Sequence, residues 1–463
     1  MNDTIHLLTI HTCIGIMTVA LSLACGAPAT LAADAPPETI QQAEPSAEPA
    51  SPASSEPEPL LPHEPEAEPH PAETHYVLGV TRLNGADLIG AIEELREALR
   101  VQPDYADARM SLGAALYQIG DLDGAIEAYQ AALRTQHDLV HAHVNLATIY
   151  IVKREWASAR NELQTALQLQ PDLVRAHYAL GVVRYGLGDR RGAIESYRAA
   201  LQLKPDYADA HYNLGLLLKL ANQEGEAAQE FYAAALAGMA KAQYFLGSAH
   251  ASGRGVERDL IVAVQWWFRA AEQHEPQAIE ALSQLRQSVF TKNKRPAGER
   301  DAIIQAFAEF RNELWKEYPQ FDRQASDCVG AALIQQDRFR EALPVLLQEA
   351  MALSEPAQAV LETLYERGLE GELAPYDERI RTFFKMAAEE GVPHPRLVMA
   401  RAYGRGLGVP QDIKKAKALL KGESSDEAKA LLRDISALQA NHQPIQPTEK
   451  STGKSKSALN ASP

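Results

Sequence analysis

Residues Ala106 to Leu133 read ADARMSLGAALYQIGDLDGAIEAYQAAL, and this stretch decides the fold. It contains two runs of helix formers separated by Gly120-Asp121, with small residues at Gly113, Ala125 and Ala132. All three small positions recur every 34 residues: Gly79, Gly113, Ala147, Gly181 and Gly215; Ala91, Ala125, Ala159, Ala193 and Ala227; Ala98, Ala132, Ala166, Ala200 and Ala234. A fixed period of this length marks stacked helical pairs, each of which buries its apolar face only against its neighbours. Small residues belong where two helices cross closely. Gly120-Asp121 and Gly188-Asp189 mark the turn inside a pair. Pro103, Pro171 and Pro205 close units, because proline cannot continue a helix interior. Asp104, Asp172 and Asp206, which follow these prolines, are expected to accept bonds from the free N–H groups of the next helix. Leu78, Leu112, Leu146, Leu180 and Leu214 add a repeated apolar contact.

These ladders resemble the tetratricopeptide repeat family, with five units over residues 72–241. From Ala240 the rhythm changes. AKAQYFLGSAHASGRGVERDLIVAVQWWFRAAEQHEPQA is similar to a Sel1-like repeat, assigned to residues 242–284. Its markers are Leu246-Gly247, Gly253, Gly255-Val256, Asp259, Ala263, Trp266-Trp267 and Ala270-Ala271. Two further Sel1-like repeats are read over residues 356–438. Gly408-Val409, Asp412 and Ala416 match one set of markers, and Phe383-Phe384 with Ala387-Ala388 match another. Residues 285–322 read as an irregular helical connector, with Phe307, Phe310, Leu314 and Tyr318 on one face. Residues 323–355 read as a degenerate pair. The resemblance implies an all-α, right-handed α-solenoid (a superhelix) of antiparallel helix pairs.

A formal charge of −16 argues against nucleic acid as the partner, since phosphate binding needs clustered Lys and Arg. Cys13 and Cys25 lie in an apolar N-terminal stretch, which leaves Cys328 alone in the folded part and excludes an intrachain disulfide framework there. Cys13 to Ala24 has the character of an export-signal core, and small residues follow at Ala29, Ala32 and Ala33. Residues 1–33 are accordingly read as a signal peptide or a membrane or lipid anchor. Ser22-Leu23-Ala24-Cys25-Gly26 resembles a lipobox, which makes Cys25 a candidate for acylation. The expected location is therefore the periplasm or cell envelope. Residues 34–71 form an acidic, Pro-rich linker. Residues 34–74 hold eleven prolines and ten acidic residues without a Lys or Arg, too little apolar surface to offset backbone ordering. Residues 439–463 form a mildly basic tail, likewise expected to be disordered.

No catalytic, cofactor or metal site is expected. GxSxG, HExxH and P-loop patterns are absent from the sequence. His75, His143, His177 and His211 share one repeat position with Arg109, and neighbouring repeats stand about 10 Å apart. Ligands of one zinc ion must each approach to about 2 Å. These histidines are therefore read as packing at a helix start. In HDLVHAH, the register puts His137 before its helix, away from His141 and His143. Cys328 is read as a small apolar filler within a helix.

In the family that the ladders resemble, the first helix of each pair lines a concave groove. Carried over by register, the candidate partner-binding residues are Tyr76, Tyr117, Asn145, Tyr178, Tyr185, Tyr212 and Asn213. Tyrosine offers large contact area and a polar handle at low entropic cost. The Lys/Asn clamp that some family members use on a C-terminal carboxylate is missing here. The resemblance implies a non-catalytic scaffold or adaptor for proteins or peptides. An accessory or glycan-binding module of a cell-wall or polysaccharide-export enzyme complex is the alternative.

Overall fold

The computed structural model describes residues 70–290, 296–323 and 326–441. The expected signal or anchor, the linker and residues 442–463 of the tail lie outside them. Among the described residues there are 21 α-helices and no strand, only an isolated bridge between Leu369 and Leu373. The fold is an all-α solenoid of helix pairs. The chain forms two compact units, divided after Ala237.

Unit 1 contains five pairs: α1 (Pro71–Asn84) with α2 (Leu88–Val101), α3 (Ala106–Gln118) with α4 (Leu122–Thr135), α5 (Val140–Val152) with α6 (Trp156–Leu169), α7 (Val174–Gly186) with α8 (Arg190–Leu203), and α9 (Ala208–Leu220) with α10 (Glu224–Leu236). Each helix packs on its neighbours in sequence. First helices of successive units also touch, α1 on α3 and α5 on α7. The small-residue ladders are the crossing points, and all eleven ladder alanines are buried. A Cβ built on Gly113 or Gly215 would lie within 2.9 Å of the ring of Tyr129 or Phe231 respectively. Leu146, Leu180 and Leu214 are buried, whereas Leu78 is 40% exposed, because no described unit precedes α1 to cover it.

The turn inside each pair needs a left-handed residue followed by a cap. Gly120 and Gly188 supply the former without strain, at φ 84° and 83°. Ala86, Arg154 and Asn222 occupy the same position at φ near 60°. Asp87, Asp121 and Asp189 then cap the second helices, accepting from the N–H groups of Gly90, Gly124 and Gly192 at 2.8–3.0 Å. The expectation for Asp104, Asp172 and Asp206 is corrected. The N-caps of these first helices are the next residues, Tyr105, Leu173 and Tyr207, and they make no side-chain cap hydrogen bond.

Unit 2 begins with α11 (Ala240–Ser252) and α12 (Leu260–Glu272), joined by a turn that uses Gly253 and Gly255 at positive φ. Asp259 caps α12 through the N–H groups of Ile261 and Val262. Next come α13 (Pro276–Phe290) and α14 (Ala297–Glu317); the end of α13 and all of α14 fall in the stretch read as a connector, residues 285–322. Its apolar face packs into a core: Phe310 stacks on Phe268 at 3.8 Å, and Phe307 and Leu314 are buried beside it. Tyr318 lies past the end of α14 and stacks on Phe321. The remaining helices are α15 (Val329–Gln335), α16 (Phe339–Met351), α17 (Glu355–Arg367), α18 (Glu378–Glu390), α19 (Pro393–Arg405), α20 (Ile413–Leu420) and α21 (Asp426–Asn441).

Two buried ion contacts stitch unit 2 together. Arg286 of α13, 1% exposed, donates through Nε and Nη2 to both carboxylate oxygens of Glu390 of α18, at 2.7 and 2.8 Å. Glu349 of α16 accepts from the N–H groups of Val329 and Gly330 and so caps α15 from another helix. Cys328 is the residue that precedes α15, not one inside a helix.

Candidate protein-interaction surface

The first helices of unit 1 carry every residue that the register assigns to a groove, and the structure sorts those residues into two groups. Tyr76, Tyr117, Asn145 and Tyr185 are half-buried and keep part of their surface. Tyr76 leans on Tyr105 with ring centroids 5.0 Å apart. Asn145 donates from Nδ2 to the Tyr129 hydroxyl at 3.3 Å. Burial raises the phenol pKa of Tyr76, Tyr117 and Tyr185 above the ordinary value, so these hydroxyls remain protonated donors at neutral pH.

Tyr178, Tyr212 and Asn213 form the second group, and here the groove assignment is corrected. Tyr178 has no exposed surface, and Tyr212 and Asn213 are 7% and 1% exposed. Tyr178 sits between Tyr197 of its own pair, at 5.7 Å, and Tyr207 at the start of the next unit, at 5.0 Å. Its hydroxyl accepts from Asn213 Nδ2 at 3.0 Å. Tyr178 and Asn213 join unit to unit, whereas Tyr212 rests on Phe231 of its own pair, with ring centroids 6.2 Å apart. Desolvation holds the Tyr178 phenol far above its usual pKa.

Two polar atoms in this region are left unmatched. The Tyr185 hydroxyl and Asn213 Oδ1 are buried without a hydrogen-bond partner among the described residues. Both stand on first helices of consecutive units, α7 and α9.

The shared histidine position has a role that sequence reasoning missed. His75, His143 and His211 each place Nδ1 at 2.6–2.7 Å from a glutamate on the second helix of the same pair: Glu94, Glu162 and Glu230. On the far side of the ring, His211 Nε2 meets the Pro205 carbonyl at 2.8 Å. These glutamates follow the histidines by 19 residues in units one, three and five. Units two and four have Ala128 and Ser196 there, and His177 keeps only the contact to the Pro171 carbonyl. A 68-residue alternation was the available signal. His137 and His141 are both exposed, and His137 lies before α5. Among the described residues no group of three His, Cys, Asp or Glu is placed to hold a metal, and no helix is long and apolar enough to cross a membrane.

Models of known families match parts of both units. The tetratricopeptide repeat model matches residues 76–138, a second TPR repeat model matches 153–188 and 185–220, and the Sel1 repeat model matches 240–274 and 398–421. The chain is a tetratricopeptide-repeat protein with Sel1 repeats. Repeats of these kinds form interaction scaffolds for proteins and peptides. Among solved structures, this repeat protein is similar to MamA, at 26% identity over 36% of this chain and 98% of that one, with a TM-score of 0.34. YrrB, described as a TPR protein with an unusual peptide-binding site, is 22% identical over 40% and 96%, with a TM-score of 0.34. PilF of Pseudomonas aeruginosa is 20% identical over 47% and 90%, with a TM-score of 0.36. None of the curated proteins compared matches the chain.

Proposed function

We propose that this tetratricopeptide-repeat protein is a non-catalytic scaffold of the bacterial cell envelope, and that unit 1 binds a peptide or protein segment across its first helices. The observation that carries the reading is the unmatched Tyr185 Oη, on a residue that keeps part of its surface. Folded proteins leave very few buried polar atoms unpaired, because each costs about 1–3 kcal/mol. A bound polypeptide supplies both donors and acceptors, and Tyr117 and Asn145 on α3 and α5 add half-exposed surface on the preceding units. The envelope location draws its support from the apolar stretch Cys13 to Ala24 and the small residues after it.

Tyr185→Phe separates a binding role from a packing role, because the two predict effects of opposite sign. Removing an unmatched hydroxyl leaves the free protein equally or more stable. If that hydroxyl meets a ligand, the same change weakens binding by about tenfold, the worth of one hydrogen bond to a buried group. Peptide arrays probed with the full chain, and then with Tyr185→Phe and Tyr117→Ala, read this directly. Peptide binding that both variants leave intact would remove unit 1 as the site. Capture on glycan arrays instead would favour the glycan-binding alternative.

A further inference from the structure

His211 faces more hydrogen-bond acceptors than a neutral imidazole can serve. Its Nδ1 lies 2.6 Å from the Glu230 carboxylate, and its Nε2 lies 2.8 Å from the Pro205 carbonyl oxygen. A carboxylate and a carbonyl only accept, while a neutral imidazole has one N–H to give. Both contacts are therefore made only when the site holds one proton beyond the neutral ring and the carboxylate.

The two acceptors belong to different parts of the array. Glu230 stands on α10, the partner of α9 in the fifth pair, whereas Pro205 lies in the loop that brings the chain from α8 of the fourth pair to α9. The same loop carries Tyr207, which packs on Tyr178 of α7 at 5.0 Å. His211 thus ties α9 and α10 to the covalent connection between the two pairs. Its register mates supply the contrast. His143 repeats the arrangement loosely, with Glu162 at 2.7 Å and the His137 carbonyl at 3.4 Å. His177 meets the Pro171 carbonyl at 2.7 Å, but Ser196 stands in place of the glutamate and gives its hydroxyl to the Gly192 carbonyl. A neutral His177 with its proton on Nε2 makes that contact, and no extra proton is required.

We propose that His211 is a proton-operated clip on the joint between the fourth and fifth pairs. It holds the Pro205 carbonyl while the site carries its extra proton and releases that carbonyl when the proton leaves. After the loss, the charge-assisted bond to Glu230 keeps the remaining N–H on Nδ1. Nε2 then turns a lone pair toward the carbonyl oxygen, and the loop moves off it. The charged groups that face the ring, Glu230 from α10 and Asp206 from the loop, are both negative and favour the proton, against the burial of the ring. The clip is closed below about pH 6.5 and opens as pH rises through the raised folded value. It does not depend on what unit 1 binds.

Hydrogen–deuterium exchange of the full chain at pH 5.5 and pH 8.5 tests this. Exchange is mapped by peptide mass spectrometry and corrected for the pH dependence seen in an unstructured peptide. The Ala210 and His211 amides, both bonded to the Tyr207 carbonyl, report the joint. Ala176 and His177, bonded in the same way to the Leu173 carbonyl, are the matched control. Protection at Ala210 and His211 should fall about tenfold from pH 5.5 to pH 8.5, the worth of a hydrogen bond to a charged group, while the control stays level. Glu230→Gln should abolish the fall and leave the joint protected at both pH values, because a neutral His211 then donates to Pro205 and accepts from the new amide. Level protection at the joint in the unaltered chain would overturn the proposal, as would an equal fall at the control. Neither reading needs a variant to fold. A fall that persists in Glu230→Gln would overturn it as well.

Discussion

Gly181 lies against the ring of Tyr197 so closely that a Cβ built on it would stand 2.6 Å from Cε1 of that ring. Tyr197 cannot retreat, because it is 2% exposed and its other neighbour is the buried Tyr178. The contact recurs 16 residues apart, as Gly113 with Tyr129 and Gly215 with Phe231. Glycine is therefore retained for proximity, not for backbone freedom. Gly181→Ala is expected to cost about 1–3 kcal/mol in urea unfolding, the usual penalty for overpacking a tight core. Gly298 of α14 meets nothing within 4 Å of a built Cβ, so Gly298→Ala should cost nothing. Equal stability of the two variants would show that the ladder tolerates bulk.

This contact shows why so much of the fold was legible in the sequence. A small residue and its large partner lie a fixed distance apart in the chain, and the repeat prints the pair several times over. The candidate site was less legible. Register placed Tyr178 and Tyr185 on one helix, but which of them stays accessible depends on Tyr207, a residue of the next unit. The His–Glu contacts were hidden because they skip alternate units. The ion pair between Arg286 and Glu390 joins residues 104 apart and repeats nowhere, so no periodicity announces it.

His211 gives a pH dependence whose sign is fixed. Its hydrogen bond to Glu230, together with the Pro205 carbonyl, raises the imidazole pKa above its ordinary value, against the opposing effect of burial. The folded state therefore holds the proton more tightly than the unfolded chain. The stabilisation is complete below about pH 6.5, the unfolded value, and is lost as pH rises through the folded one. Subtracting the unfolding free energies of Glu230→Gln from those of the unaltered protein between pH 5.5 and pH 8.5 isolates this contribution. The difference should shrink with rising pH. A flat or growing difference would contradict the assignment.

Arg286 and Glu390 predict an asymmetric pair of mutations. Glu390→Ala leaves a guanidinium buried without its carboxylate and should cost about 3–5 kcal/mol. Replacing both, Arg286→Met with Glu390→Leu, removes the charges together and should restore most of that loss. A double variant as unstable as the single one would mean that α13 and α18 need the ion pair itself to stay packed.

Cys328 should be chemically silent in the native state. It is 1% exposed, and burial together with the charge of Glu349 pushes its thiol pKa up to about 12. The nucleophilic species is the thiolate, which is almost absent at pH 8 under these conditions. Iodoacetamide at pH 8 should therefore leave the Cys328 peptide unmodified until denaturant is added, as read by mass spectrometry of that peptide. Glu349 complicates the obvious variant, because it also caps α15 through Val329 and Gly330. Glu349→Gln should lower the barrier in two ways, by removing a negative charge beside the sulfur and by weakening the cap, so that α15 opens more often. Denaturant separates the two effects. If faster labelling comes from the lost charge alone, its rate is unchanged by low urea. If it comes from opening of α15, the rate climbs with urea well below the global transition. The second outcome is expected, since a seven-residue helix is marginal by itself and Glu349 accepts from two of its first N–H groups.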